Sequence, residues 1–189
     1  MLSSLVPPTM MTSMAEVILA SWHSGSGLPA GRRLVVADPG GTGGVEAVAF
    51  LDEEPEWVGG GVDAYLATPH RQWDRIGGPA EVTRLVFVRR HPDLTHDQFV
   101  EHWTTAHTPL ARQHHPGLGR YVQHVITDAL TPDAPVFDGL AELGFASRAD
   151  LRDRMYDSEE GREAVAADVA SFLDLRAGRR LTGSDVPLP

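Results

Sequence analysis

Histidine is the residue type in this 189-residue chain that is best suited to moving protons near neutral pH. Seven of the nine histidines fall between His91 and His124. We take His107 and His124 as the catalytic candidates, because an imidazole in an apolar cleft can accept a proton and return it. The structural alternatives are a helix histidine that donates to a carbonyl freed by Pro109, and a half-buried strand histidine held by a neighbour.

Composition excludes several other chemistries. The chain contains no cysteine, no lysine and no asparagine. It therefore has no disulfide, no thiolate nucleophile, no Schiff-base lysine for pyridoxal phosphate and no N-glycosylation site. A Gly-x-Ser-x-Gly nucleophile motif is also absent from the sequence.

The charge distribution argues against nucleic acid and membranes as partners. The net charge is −10, and residues 1–80 carry 4 Arg against 9 acidic residues while residues 81–189 carry 12 against 17. Neither half therefore attracts a polyanion by bulk charge. No apolar stretch reaches the roughly 18 residues of a membrane span, and no basic signal-peptide region is present. Together with the lack of cysteine, these features predict a cytoplasmic protein.

The dense histidines must also be weighed as metal ligands. His102 and His107 are five residues apart, which points them in different directions on an α-helix. The i, i+4 histidine pair of a zinc helix is absent, and His107 and His114 share a face only if the helix continues past Pro109. We therefore expect no metal and no other cofactor.

The first half of the chain is predicted to contain three strands and one helix. β-Rich runs predict the strands at 15–23, 34–37 and 45–51, and apolar spacing predicts the helix within 62–76. The Gly-rich segment 38–44 lacks the spacing of a phosphate-binding loop and leads into a strand, which indicates a wide hairpin turn. Residues 1–13 are expected to form a flexible leader, with Met14 as a candidate start.

The second half has stronger local signals. Thr95 and Gln98 form a capping box, so a helix begins at Thr95, and Pro109 should kink or end it near residues 107–110. Ser147 and Ser158 can cap two further helical segments. Strands are predicted at 84–90, 119–127, 137–145 and 175–181. This order predicts an α+β fold, a ferredoxin-like antiparallel sheet with two helices on one face.

Four blocks of the second half resemble the EthD family. They are 99–110 (FVEHWTTAHTPL), 116–124 (PGLGRYVQH), 137–143 (FDGLAEL) and 157–161 (DSEEG), and the resemblance extends over about residues 83–180. It implies a ferredoxin-like domain that associates into a dimeric α+β barrel. The family is named for ether degradation, relatives are linked to dehydration or decarboxylation of aromatic polyketides, and the same barrel architecture hosts haem-handling families.

The first half lies outside this resemblance, but its elements follow the same plan with the first helix missing. We therefore predict a tandem pair, with a degenerate ferredoxin-like half at 14–80 and the EthD-like domain at 81–189. In that arrangement the barrel closes within one chain as a pseudo-dimer, and the alternative is a homodimer.

Strand alternation then predicts which side chains face the helices. Val122, His124 and Ile126 share one face of their strand, and Ala141, Leu143 and Phe145 share one face of the next. We place both faces against the helix that carries Trp103 and His107. Tyr121 and Asp138 then face the barrel partner, as does Glu142. The predicted pocket residues are Trp103, Tyr121, Val122, Asp138, Leu143 and Phe145, around His107 and His124.

These predictions lead to two hypotheses. In the first, the protein is a cofactor-independent lyase, a dehydratase or decarboxylase, that acts on a small hydrophobic, aromatic or polyketide-like molecule. His107 is its general acid or base and His124 assists. In the second, the protein is a non-catalytic barrel that binds a ligand or stabilises a complex.

Overall fold

Eight strands form the framework in the computed structural model, which describes residues 15–22, 28, 31–41, 43–56 and 60–186. The predicted leader and Met14 lie outside these residues. All strand pairs are antiparallel, and the sheet closes into a barrel. The strands are β1 (Glu16–Ser21), β2 (Arg33–Ala37), β3 (Ala47–Leu51), β4 (Val62–Asp74), β5 (Val82–Val88), β6 (Leu118–Ala129), β7 (Gly139–Phe145) and β8 (Arg179–Val186).

The barrel is built from two four-stranded groups that have the same internal order. Around the barrel the strands run β4-β1-β3-β2 and then β8-β5-β7-β6. In each group the fourth strand neighbours the first, the first neighbours the third, and the third neighbours the second. The β2–β8 and β4–β6 pairs join the groups, so the barrel closes within one chain.

The prediction of a helix within 62–76 is wrong, because residues 62–74 form the long strand β4. Pro69 lies inside this strand. Irregularities between Leu66 and Ala67, and between Arg71 and Trp73, shift the register against β6. A β-bulge adds a residue to one strand, so it breaks the two-residue alternation that identifies a strand in a sequence.

The helices of the described chain all belong to the second group of strands. They are α1 (His96–Glu101), a π-helical turn (His102–His107), α2 (Thr108–His114), α3 (Arg148–Asp153) and α4 (Glu159–Phe172). Thr95, Ser147 and Ser158 are N-caps as predicted, and Thr95 forms the full capping box with Gln98. None of the helices among the described residues is long and apolar enough to cross a membrane.

The helix around Pro109 does not end at this residue. It continues to His114, and the irregularity lies just before Pro109 as the π-helical turn. Pro109 stands in the first turn of α2, where a missing N–H is tolerated. The carbonyl of Trp103 accepts a hydrogen bond from Gln123 Nε2 at 2.8 Å. The predicted break is thus absorbed by a widened turn.

The prediction for the two faces of β6 is also wrong. Tyr121 pairs with Leu143 and Gln123 pairs with Ala141, so these side chains share the helix-facing side. Tyr121 and Val125 pack there in one apolar cluster that also contains Phe99, Trp103, Ala141, Leu143, Phe145 and Phe172. Val122 and His124 consequently face the barrel interior. The prediction for β7 is confirmed, since Leu143 faces the helices and Glu142 faces the interior.

Candidate functional site

His107 and His102 bind the two oxygens of one carboxylate on α4. His107 Nδ1 lies 2.7 Å from Asp168 Oδ2, and His102 Nε2 lies 2.8 Å from Asp168 Oδ1. A π-helix pairs residues five apart along the backbone, so positions i and i+5 come to lie on one side. The expectation that His102 and His107 point in different directions is therefore wrong, because the π-helical turn brings both to Asp168.

The surroundings of His107 keep its imidazole neutral with one nitrogen free. The residue is only 7% exposed, and this burial lowers its pKa, although the hydrogen bond and charge of Asp168 oppose the change. Nδ1 is held by Asp168, whereas Nε2 has no hydrogen bond to a described residue. Every fully buried side-chain nitrogen or oxygen among those residues has a partner, so Nε2 retains accessible surface.

A second polar group, the Tyr121 hydroxyl, lies on the floor of the same region. It accepts hydrogen bonds from Trp103 Nε1 at 3.0 Å and from Gln123 Nε2 at 3.1 Å. Burial raises the pKa of Tyr121 to about 12, so the hydroxyl keeps its proton. With both acceptor positions of the oxygen in use, the role left to this hydroxyl is donation.

These groups surround an apolar cavity between the helices and the sheet, which we call the cleft. Its volume is about 160 Å³. Phe172 forms part of the wall, with its ring centroid 5.3 Å from that of His107. The lining residues are Val86, Val88, Trp103, His107, Ala111, His115, Leu118, Tyr121, Ala141, Leu143, Met155, Tyr156, Val165, Val169, Phe172 and Leu173.

The structure separates the predicted site residues into three places. Trp103, His107, Tyr121 and Leu143 line the cleft, and Phe145 packs in the adjoining core without lining it. Val122 and His124 line a cavity in the barrel interior instead, because β6 presents them to that side. The proposed pairing of His107 with His124 is therefore wrong. Asp138 lies elsewhere again, where it accepts hydrogen bonds from Arg90 and contacts His96.

Sequence reasoning missed Asp168, the partner of His107. A signal for it exists: Asp168 stands three residues after Val165 and four before Phe172, both of which are buried on α4. This spacing places an acidic side chain on the apolar face of the helix, where a carboxylate requires a partner. Gln123, which binds both Tyr121 and the Trp103 carbonyl, was also missed.

His124 is the centre of a second cluster of charges, at one end of the barrel interior. Its Nδ1 contacts Glu16 Oε1, and its Nε2 lies 3.2 Å from Glu142 Oε2. Burial of the imidazole lowers its pKa, but the hydrogen bonds and charges of Glu142 and Glu16 outweigh this and raise it. Burial acts to raise the pKa of Glu142, yet His124 and Arg33 bring it down to about 2.

This cluster lines a cavity of about 820 Å³ that we call the lumen cavity. It is lined by Glu16, Arg32, Arg33, Pro69, Arg71, Asp74, Gly78, Pro79, Arg120, Val122, His124, Glu142, Asp185 and Val186. In the part of the chain that the structure describes, no group of three or more histidine, aspartate or glutamate side chains is arranged to hold a metal ion.

Comparisons with known proteins find a family match in the second half of the chain. Residues 91–176 match the family model described as the EthD domain. A search of curated protein sequences finds no match. One matching solved structure is described as a crystal structure of an anthrone oxidase-like protein. It is 13% identical, with a TM-score of 0.58, and the match covers 92% of this chain and 91% of that one. At this identity the likeness supports the fold alone.

Proposed function

Because residues 91–176 match the EthD domain model, we propose that this chain is a cofactor-independent enzyme that moves protons on a small hydrophobic molecule held in the cleft. The observation that supports this most directly is the His107 imidazole. Its Nδ1 is fixed by Asp168, its Nε2 retains accessible surface, and the residue lines an apolar cavity. A carboxylate that holds one imidazole nitrogen orients the ring and stabilises its protonated form.

Three polar groups at the cleft, His107, Asp168 and Tyr121, have roles in this proposal. Neutral His107 accepts a proton from a carbon next to a carbonyl group of the ligand, and Asp168 stabilises the imidazolium that results. Tyr121 donates a hydrogen bond to the ligand oxygen on which negative charge develops. The apolar walls exclude water, which strengthens both interactions.

This chemistry fits a lyase that acts on an aromatic or polyketide-like substrate. In a dehydratase, His107 removes the proton and returns it to the departing hydroxyl, which leaves as water; in a decarboxylase, loss of carbon dioxide leaves the enolate and His107 carries the carboxyl proton to its carbon. Both reactions need proton transfer and a dry pocket, and neither needs the lysine or cysteine that the chain lacks. The cleft volume of about 160 Å³ lies below the roughly 300–1,000 Å³ of typical ligand pockets. A ligand of one or two rings therefore suits it, and a larger one requires α4 to move away from the π-helical turn.

Oxidation is the second candidate reaction. The solved neighbour is described as anthrone oxidase-like, and removal of a proton next to a carbonyl would also begin an oxidation by dioxygen, in which a methylene becomes a carbonyl and one O2 supplies the new carbonyl oxygen and a molecule of water. Both candidates depend on His107 in the same way, so one experiment tests the step that they share.

The test follows exchange of deuterium into β-tetralone, a two-ring ketone, by NMR in heavy water. The wild-type protein should accelerate exchange at the carbon between the ring and the carbonyl, and His107→Gln should slow it by about 10²–10⁴-fold, the usual contribution of a general base. Arg176→Gln, a change at an exposed residue that does not line the cleft, is the control. If β-tetralone binds without accelerated exchange, the protein is a non-catalytic ligand-binding barrel, and the catalytic proposal fails.

We also infer that the two strand groups are a tandem pair of ferredoxin-like units, with the degenerate unit at 14–80 and the EthD-like unit at 81–189. The shared strand order supports this inference, as does the placement of the described helices in the second group. The barrel then corresponds to a pseudo-dimer within one chain. The cytoplasmic location remains a prediction from the cysteine-free composition.

A further inference from the structure

The barrel interior is divided into an apolar half and a polar half. At one end, side chains from all eight strands pack into a core that includes Ile18, Val35, Val48, Tyr65, Leu85, Ile126, Leu140 and Leu181. Toward the other end the interior positions become charged on most strands: Glu16 on β1, Arg33 on β2, Arg71 on β4, His124 on β6, Glu142 on β7 and Asp185 on β8. Such a concentration of charge inside a barrel needs a reason beyond folding, because buried ion pairs are weak sources of stability.

Most of these charges neutralise one another. Glu16 binds Arg32 and His124, and Glu142 binds His124 and Arg33. Arg33 also binds Asp185 at 2.9 Å. In the same cavity the Arg120 guanidinium lies 3.0 Å from Asp74 Oδ2. These pairs hold four carboxylates and three arginines in fixed positions around the cavity.

His124 adds a further fixed positive charge. Both of its ring nitrogens face carboxylate oxygens, which accept hydrogen bonds and cannot donate them when ionised. Both nitrogens must then carry protons, which makes the ring an imidazolium. The lining therefore holds five cations, the four arginines and His124, against four carboxylates.

Arg32 also lies 3.6 Å from Asp52, a carboxylate outside the lining, so Arg71 is the lining cation that has no carboxylate partner in the described part of the chain. Among the described residues its side chain has no hydrogen bond or ion pair, and the residue is exposed at the cavity wall. A β-bulge follows Arg71 and turns Gln72 and Trp73 to the helix side of the sheet. Arg71 is therefore the last interior-facing residue of β4 before this bulge. A free guanidinium forms paired hydrogen bonds with a carboxylate.

We propose that the lumen cavity is a second binding site, and that it takes a small organic monocarboxylate whose anionic group pairs with Arg71. The apolar body of the ligand packs against Pro69, Pro79, Val122 and Val186. A single negative charge matches the one unpaired guanidinium, whereas a second would approach the carboxylates of Glu16, Asp74, Glu142 or Asp185. The volume of about 820 Å³ lies within the roughly 300–1,000 Å³ range of small-molecule sites.

Isothermal titration with β-naphthoate at pH 7, and with the uncharged β-naphthamide as the matched probe, tests this site. We expect saturable binding of β-naphthoate, at least tenfold weaker binding of the amide, and at least a tenfold loss of β-naphthoate affinity in Arg71→Gln. Arg176→Gln removes the same charge from an exposed position and should leave the affinity unchanged.

A further variant separates this site from the cleft. His107→Gln should not change the affinity for β-naphthoate, even though it should slow exchange of β-tetralone by about 10²–10⁴-fold. The proposal is overturned if wild-type protein shows no saturable binding, if the amide binds as tightly as the acid, or if Arg71→Gln binds as the wild type does. Loss of β-naphthoate binding in His107→Gln would place the ligand in the cleft and would also overturn it.

Discussion

The cleft and the lumen cavity each contain a buried histidine next to carboxylates, but the two histidines differ in how many ring nitrogens are bound. His107 has one nitrogen on Asp168 and one free, and its pKa is lowered by burial. His124 has a carboxylate on each nitrogen, and Glu142 and Glu16 overcome burial to raise its pKa. The first arrangement leaves a neutral base that can exchange a proton. The second produces a fixed cation, which organises charge but has no free nitrogen for chemistry.

The largest effect on stability is expected in the lumen cavity, from Glu142→Gln. Glu142 is buried and binds both His124 and Arg33, so the change leaves the buried His124 and the partly buried Arg33 with one carboxylate each. Breaking a buried ion pair in this way costs about 3–5 kcal/mol in the free energy of unfolding. Urea denaturation measures it. Asp153→Asn, which removes an exposed partner of Arg152, should change stability by less than about 0.5 kcal/mol and serves as the control.

If Glu142→Gln were no more destabilising than Asp153→Asn, the lumen cluster would not be the closely coupled network that its contacts indicate. The contrast between a fixed, fully bound His124 and a partly free His107 would then lose its basis.

Asp168→Asn should act on the cleft chemistry by changing the basicity of His107. The Asp168 carboxylate raises the pKa of His107 against the effect of burial, so its removal should lower that pKa further. The rate of β-tetralone exchange should fall at least about tenfold, and the midpoint of its pH profile should move to lower pH. Asp157→Asn removes the carboxylate next to His114, outside the cleft, and should leave the midpoint in place. A rate loss without a shift of the midpoint would mean that Asp168 is only structural.

The two histidines should affect stability in opposite directions as the pH changes. The pKa of His124 is raised on folding, so its contribution is fully present below about pH 6.5 and is lost as the pH rises through the raised value. The pKa of His107 is lowered, so its contribution is present above about pH 6.5 and is lost as the pH falls toward the lowered value. Each unit of pKa shift corresponds to about 1.4 kcal/mol.

Urea denaturation between about pH 5 and 9 of the wild type, His124→Gln and His107→Gln separates these contributions. The stability of the wild type minus that of His124→Gln should decrease as the pH rises. The stability of the wild type minus that of His107→Gln should decrease as the pH falls. Burial and the charge of His124 lower the pKa of His70, so His70 also contributes to the loss of stability on the acidic side. If the two stability differences changed with pH in the same direction, the expected opposite effects of His107 and His124 would be refuted.

Much of the second strand group was predictable because its signals are local. The capping box at Thr95 and the N-caps Ser147 and Ser158 mark helix starts through contacts between residues three apart, and all three are found in the structure. The EthD resemblance rested on side chains of the same region, and the family match over 91–176 confirms it.

The face of β6 was not predictable from alternation, because both of its faces are buried. From Arg120 to Ile126 every residue of this strand is buried, since the helices cover one side and the barrel interior covers the other. From Tyr121 to Ile126 each face carries two apolar residues and one polar residue, Val122, Ile126 and His124 against Tyr121, Val125 and Gln123. The period therefore identified a strand but carried no information on which side faces the helices.

The meeting of His102, His107 and Asp168 depends on tertiary structure in the same way. Five-residue spacing shares a side only in a π-helical turn, and no propensity in the sequence specifies that turn. Strand β4 was not predicted for a related reason, because its bulges against β6 disturb the alternation that identifies a strand. In both cases a local irregularity sets the position of functional side chains.

The smallest effect is expected from Tyr121→Phe, which removes one hydroxyl from the cleft. Gln123 Nε2 keeps the Trp103 carbonyl and Thr108 Oγ1 as partners, so the group left without an acceptor is the indole N–H of Trp103. A buried unsatisfied donor costs about 1–3 kcal/mol, less than the lumen ion network should lose. Tyr156→Phe is the matched control, because Tyr156 also lines the cleft but its hydroxyl has no hydrogen bond to a described residue. Urea denaturation should show the loss in Tyr121→Phe and almost none in Tyr156→Phe, while β-naphthoate affinity stays unchanged in both. Equal stability of the two variants would show that the Trp103 hydrogen bond does not hold the floor of the cleft, and would remove Tyr121 as a donor fixed in place for the ligand.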